Sequence, residues 1–212
     1  MIKCVIFDFD GTLVDSMKMI YEALNDALGK RGLPTIELDL LGRMAGRPLN
    51  DIISVKVHVP ESVLEAIERD VFGTYTRYCN TSCQLFPNVE NVLKNLKSKQ
   101  LKLGLLTTTP REPLEVAVKK LALADYFDII LAKEDVKNKP DPDGIERIVR
   151  TFVISKNECL YVGDSPTDIL TGKAAGVGTV AIPTGVTTIE QLRASKPDII
   201  ITNLEELLTY IS

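Results

Sequence analysis

Asp8 and Asp10 stand one residue apart at the end of a short β-rich apolar run, Cys4-Val-Ile-Phe7, and Gly11 and Thr12 follow at once. Such a run reads as a strand buried on both faces. Charge at the end of a buried strand is costly unless the carboxylates converge on a cation or a reacting group. Gly11 would let the backbone turn sharply beside them. Taken alone, Asp-Phe-Asp-Gly-Thr also fits an ordinary solvated turn, because Asp and Gly are common turn residues. Further polar candidates stand far along the chain: Thr107 after Leu101-Lys-Leu-Gly-Leu-Leu106, Lys139 in Lys-Pro-Asp-Pro-Asp143, and Asp164 and Asp168 in Val162-Gly-Asp-Ser-Pro-Thr-Asp168.

The elements that would position these residues follow from periodicity. Ser16 is placed to cap a helix with apolar positions Met17, Ile20, Leu24, Ala27 and Leu28, stopped by Gly32 and Pro34. Leu49, Ile52 and Ile53 mark a short helix, and Val63, Leu64, Ile67, Val71 and Tyr75 a longer one after Pro60. This block, with almost no strand signal, predicts a helical bundle inserted after the first strand, with Gly42 to Leu49 as a loop between its helices. From Pro87 onward helices and strands alternate. Strands are expected at 101–107, 127–131, 159–162, 179–182 and 198–201, and helices at 110–121, 143–152 and 169–175, the last closed by Gly176. This alternation predicts an α/β fold with a doubly wound parallel sheet. Ligands of such sheets bind outside the carboxyl ends of the strands, and Asp8, Thr107 and Asp164 all fall where their strands stop.

Composition narrows the partners. The 212 residues carry 25 Lys+Arg against 29 Asp+Glu, a net charge of −4 without a long basic run, which argues against nucleic acid and for a small molecule. No apolar run approaches membrane-spanning length and no leader is evident, so a cytoplasmic protein is expected, without a membrane partner. The cysteines, Cys4, Cys79, Cys83 and Cys159, form no Cys-x-x-Cys pair. Cys79 and Cys83 are near enough for a disulfide, which a cytoplasmic setting disfavours. His58, the single histidine, is assigned no role. The run Gly172 to Gly178 lies at a helix end rather than after a strand, so it reads as a C-cap and not as a nucleotide fingerprint.

Asp8-Phe-Asp-Gly-Thr-Leu-Val-Asp-Ser16 resembles the nucleophile motif of the haloacid dehalogenase superfamily in its phosphatase form. Thr107, Lys139-Pro140 and Gly163-Asp-Ser-Pro-Thr-Asp168 resemble that family's later motifs, in order. The resemblance is to the subgroup containing phosphoglycolate phosphatase and β-phosphoglucomutase, and implies a Rossmann-like core, residues 1–14 and 85–212, with a helical cap, residues 15–84. It further implies that Asp8 attacks phosphorus and Asp10 serves as acid and base. Thr107 and Thr108 would bind phosphoryl oxygens, and Lys139 would place positive charge beside Asp8. Mg²⁺ would be held by Asp8, the backbone carbonyl of Asp10, and Asp164, with Asp168 in support. Arg47, and with it Arg43, are the cap residues expected to touch substrate, because the Gly-bearing loop Gly42 to Leu49 lies between cap helices; exposed arginines on the bundle surface are an equal alternative. The implied activity is hydrolysis of a small phosphorylated metabolite by a monomer or homodimer. A phosphomutase sharing the same site is the nearest alternative. Dehalogenation, phosphonate hydrolysis and a receiver-type phosphoacceptor fit less well, because Asp10 and the Asp164/Asp168 pair are present and the chain is long.

Overall fold

The computed structural model describes residues 1–211. Its centre is β1 (Cys4–Phe7), every residue of which is buried. It pairs in parallel with β2 (Lys102–Leu106) on one side and β4 (Cys159–Gly163) on the other. With β3 (Ile129–Leu131), β5 (Gly178–Ala181) and β6 (Ile199–Ile200), these form one six-stranded parallel sheet in the order β3-β2-β1-β4-β5-β6. The alternation of side chains along β1 divides the core. Val5 and Phe7 join the cluster containing Val92, Leu93 and Leu96 of α5 (Val89–Ser98). Cys4 and Ile6 join Ile145, Ile148 and Val149 of α7 (Asp143–Phe152). Both faces are thus covered, as the unbroken apolar runs require.

Four helices stand between β1 and α5: α1 (Met17–Gly29), α2 (Leu38–Met44), α3 (Leu49–Ser54) and α4 (Glu61–Thr81). α4 buries Ile67, Val71, Tyr75 and Cys79, a stripe at four-residue spacing, and packs on α1 and on α6 (Arg111–Lys120). The chain enters and leaves this insert through paired backbones. Val14 bridges Leu85, the Phe86 N–H donates to the Leu13 carbonyl at 2.9 Å, and the Asp15 N–H to the Gln84 carbonyl at 3.1 Å. α8 (Pro166–Ala175) and α9 (Ile189–Ala194) complete the α/β part, and a 3-10 helix, Leu204–Tyr210, packs on α5.

Three expectations are corrected. The stretch around Gly42 and Arg43 is helix α2 rather than loop. Gly42 does not break it; a Cβ there would lie 2.8 Å from the Val186 carbonyl oxygen, so the glycine serves close approach to the loop after β5. Ser16 stands before α1, but its side chain makes no capping bond and turns to Asp10 instead. Strand β6 is shorter, Ile199–Ile200: the Asp198 N–H donates to Thr179 Oγ1 at 3.0 Å rather than to a strand carbonyl, while the Asp198 carboxylate accepts from the Thr179 N–H at 2.8 Å and hydroxyl at 2.7 Å. All four cysteines are free and buried. Gly176 closes α8 at φ +76°, with its N–H on the Gly172 and Lys173 carbonyls, as a C-cap should. No described helix is long and apolar enough to cross a membrane.

Candidate active site

The carboxyl ends of β1, β2 and β4 bring Asp8, Thr107 and Asp164 to one edge. Asp8 leaves β1 with its N–H on the Val162 carbonyl at 2.9 Å. Lys139, on the loop before α7, reaches the same point. Its Nζ lies 2.6 Å from Asp8 Oδ1 and 2.8 Å from Asp168 Oδ1, above the ring of Tyr161 at 5.4 Å. Burial pulls the Lys139 pKa down, but Asp168 and Asp8 outweigh it and raise it above the ordinary lysine value, so the ammonium stays charged.

Asp168 is fully engaged. Oδ1 accepts from Lys139 and from the Tyr161 hydroxyl at 2.8 Å; Oδ2 accepts from the Ser165 N–H at 3.1 Å and its hydroxyl at 2.5 Å. In return the Asp168 N–H donates to Ser165 Oγ at 3.1 Å, a reciprocal cap at the start of α8. The approach is possible because residue 163 is glycine: a Cβ there would sit 2.4 Å from that of Asp168.

Asp164 is the opposite case. Its Oδ1 accepts from the Thr12 hydroxyl at 3.0 Å, whereas Oδ2 is buried without a hydrogen-bond partner. Two glycines clear the space around Oδ2: a Cβ at Gly185 would lie 1.8 Å from it, and one at Gly11, where φ is +83°, 2.4 Å. Carboxylate oxygens of Asp8, Asp164 and Asp168 lie within 4.8 Å of one another. Three carboxylates against the single ammonium of Lys139 leave a formal charge of −2 in a buried space. An orphaned oxygen, an all-oxygen donor set and that deficit together fit a hard divalent cation. In its absence burial, then Asp168, push the Asp8 carboxyl up to about 7 against the pull of Lys139. Burial, with Asp8 and Asp168, raises Asp164 well above the usual carboxylate range.

Asp10 stands apart from this group and faces a cavity of about 60 Å³. Its Oδ1 accepts from Ser16 Oγ at 2.5 Å and from the Tyr75 hydroxyl at 2.7 Å, and its Oδ2 from the Thr109 hydroxyl. Burial raises its pKa against the pull of those three bonds. Thr107 and Thr108 line the same cavity as Asp8 and Asp10. Thr107 Oγ1 accepts from the Thr109 N–H at 3.0 Å, which leaves its own O–H to donate. Apart from the carboxylates, the threonines and Arg47, the wall is apolar, with Met17, Ile20, Leu41, Leu49, Ile52 and Phe72 from the insert.

The arginines separate. Arg47 lines the cavity and forms no ion pair among the described residues. Arg43, on α2, is exposed and paired with Asp39 at 2.8 Å, and does not line this cavity. Sequence reasoning gave no site role to Thr12, Tyr75, Thr109, Tyr161 or Gly185. Thr12 lies inside the first motif and could have been read there, but Tyr75 and Tyr161 sit in core stripes where size and burial explain them sufficiently.

Comparison with known proteins gives the ancestry. The family described as haloacid dehalogenase-like hydrolase matches residues 5–182. A phosphoglycolate phosphatase of Photorhabdus laumondii is 34% identical over 216 residues, spanning 99% of this chain and 92% of that protein. A protein of Clostridium perfringens provisionally named pyrophosphatase PpaX is 31% identical, spanning 100% and 98%. The crystal structure of a protein of Bacteroides fragilis, provisionally named a haloacid dehalogenase-like hydrolase, superposes with a TM-score of 0.88 at 31% identity, covering 98% of this chain and all of that one. With the family match spanning most of the chain and full-length relatives above 30% identity, the protein belongs to the haloacid dehalogenase-like hydrolases.

Proposed function

We propose that this protein is a Mg²⁺-dependent phosphatase that hydrolyses a small phosphomonoester through an aspartyl phosphate. The observation that carries the reading is the pairing of two unlike carboxylates on one cavity: Asp8 is bound by Lys139 beside a cation-hungry cluster, and Asp10 by neutral hydroxyls only. An Asp8 oxygen bonds to phosphorus as the bond from phosphorus to the leaving oxygen breaks, and the Asp10 carboxyl gives its proton to that oxygen. Asp10, now ionised, takes a proton from the water whose oxygen attacks phosphorus, and the Asp8–phosphorus bond breaks. Lys139 and the Thr107 hydroxyl offset charge on the phosphoryl oxygens.

Asp8, Asp164 and the Asp10 backbone carbonyl would hold Mg²⁺, with Asp168 supporting the set. When bound, the ion neutralises the repulsion between a carboxylate nucleophile and a phosphate dianion. Residues 15–84 act as a cap that encloses the substrate and excludes water. A small, mostly apolar cavity with Arg47 as its cation suits a short leaving group bearing one anionic function, as in phosphoglycolate; a small sugar phosphate, whose leaving sugar is neutral, would leave Arg47 unused. Pyrophosphate, the substrate in the name of the Clostridium relative, would present a more highly charged leaving group to the same single arginine. With all four cysteines free and buried, a reducing cytoplasmic setting fits.

The test is phosphate release from phosphoglycolate, sugar phosphates, nucleotides and pyrophosphate, with Mg²⁺ or EDTA, by wild type and Asp8→Asn. Metal-dependent release lost in Asp8→Asn, greatest with a small monoester, is expected. Conversion of β-glucose 1-phosphate to its isomer without phosphate release would favour a mutase, and activity retained in Asp8→Asn would overturn the mechanism.

A further inference from the structure

Asp10 is held by three separate parts of the chain. Ser16 comes from the entry to α1, Thr109 from the loop after β2, and Tyr75 from the middle of α4, 65 residues away. All three donors are hydroxyls, and the nearby ammonium of Lys139 is committed to Asp8 and Asp168. This choice has a chemical consequence. A hydroxyl can donate to a carboxylate and accept from a carboxylic acid, so it can stay bonded on either side of a proton transfer. A lysine or arginine would bind the ionised form alone and hold the proton off.

Tyr75 differs from the other two in how firmly its oxygen is placed. Ser16 and Thr109 carry short side chains on connecting segments, whereas the Tyr75 ring is fully buried and packs edge-on against Phe72, with centroids 6.3 Å apart at 73°. Phe72 itself lines the cavity. A buried tyrosine needs a partner for its hydroxyl, and a backbone carbonyl could serve, as one does for the half-buried Tyr78, whose hydroxyl donates to the Asp15 carbonyl at 2.7 Å. Tyr75 instead meets the carboxylate beside the reacting edge.

We propose that Tyr75 is a positioning residue for the general acid: its hydroxyl fixes the Asp10 carboxyl group for proton transfer to the leaving oxygen, so that the insert takes part in the chemical step as well as enclosing the substrate. This rests on Asp10 being the acid of the phosphatase proposed above. Proton donation matters most when the leaving alcohol is a poor leaving group and little when it is a good one. A residue that orients the acid therefore shows itself through leaving-group dependence, which a packing role would not produce.

The experiment measures kcat/KM, which reports transfer of the phosphoryl group to Asp8 and not the later hydrolysis that both esters share, with Mg²⁺, for a small alkyl phosphate and for 4-nitrophenyl phosphate, in wild type, Tyr75→Phe, Tyr78→Phe and Asp10→Asn. Tyr75→Phe keeps the ring and removes only the hydroxyl, and thermal unfolding checks that it folds. Its kcat/KM for the alkyl ester is expected to fall about tenfold, part of the 10²–10⁴-fold that a general acid supplies, with kcat/KM for the aryl ester changed by less than about twofold. Asp10→Asn should show the same selectivity more strongly, and Tyr78→Phe should show none. An equal loss of kcat/KM on both esters in Tyr75→Phe, or no loss on either, overturns the proposal while leaving Asp10 as the acid if Asp10→Asn remains selective in kcat/KM. A non-selective Asp10→Asn overturns the reading of Asp10 itself, and the role of Tyr75 with it.

Discussion

Replacing Asp164 by asparagine should stabilise the metal-free protein while removing its response to Mg²⁺. Asp164 Oδ2 is buried with no hydrogen-bond partner, and Asp8 and Asp168 stand beside it with only Lys139 in opposition. Leaving a buried polar group unsatisfied costs about 1–3 kcal/mol, more when it is charged. Asparagine has nearly the same shape, keeps an oxygen for the Thr12 hydroxyl, and replaces the orphaned oxygen, which the Asp8 and Asp168 carboxylates oppose, by an uncharged N–H donor beside them. Without metal, the variant should gain about 1–3 kcal/mol; at about 2–4 °C per kcal/mol for a chain of this size, Tm rises by roughly 2–12 °C. With Mg²⁺ at about 100 times Kd, wild type should gain about 2.7 kcal/mol and the variant little. The assay is thermal unfolding of both proteins in EDTA and in Mg²⁺. A variant less stable than wild type in EDTA, with both stabilised equally by Mg²⁺, would refute the argument that the site is built around a missing positive charge.

Other perturbations test separate parts of the account. Gly185→Ala would set a methyl group 1.8 Å from Asp164 Oδ2, so Mg²⁺ affinity measured by calorimetry should collapse. Gly29→Ala, with nothing within 4 Å of the new Cβ, should leave Mg²⁺ affinity unchanged and gain about 0.5–1 kcal/mol in urea unfolding. Stability of the metal-free protein should fall as pH rises between 3.8, the ordinary value, and about 7 for Asp8. In that range the unfolded chain releases the proton while the folded one retains it, so a folded pKa that is raised stabilises at low pH and the benefit is lost as pH rises. Mg²⁺ should flatten this dependence, and a metal-free stability that climbs through the same window would contradict it. Ile67→Ala in the fully buried stripe of α4 should cost about 2–5 kcal/mol in urea unfolding.

Much of the fold was legible because each core strand is buried on both faces and so appears as an apolar run between helical stripes. The span 143–152 matches α7 at both ends, and the strand-end positions of Asp8, Thr107 and Asp164 follow once the strands are placed. The misreadings have a common cause: a residue with two possible roles was given the commoner one. Gly42 reads as a helix breaker, yet it gives α2 room against the Val186 carbonyl. Ser16 reads as a helix cap, yet its hydroxyl is on Asp10. Tyr75 falls in register with Ile67, Val71 and Cys79 and is core by position, but its oxygen extends beyond that stripe to the Asp10 carboxylate. Nothing local marks Gly185, because its constraint comes from Asp164 on a different strand end.

The central claim is that Asp8 carries the phosphoryl group. The direct measurement mixes wild-type protein, Mg²⁺ and the best substrate of the panel, quenches in acid within one turnover, and determines by mass spectrometry where one phosphoryl group is attached. The account predicts the label on the peptide containing Asp8 in wild type and none in Asp8→Asn. A label on any other residue, or full turnover by Asp8→Asn, would contradict it.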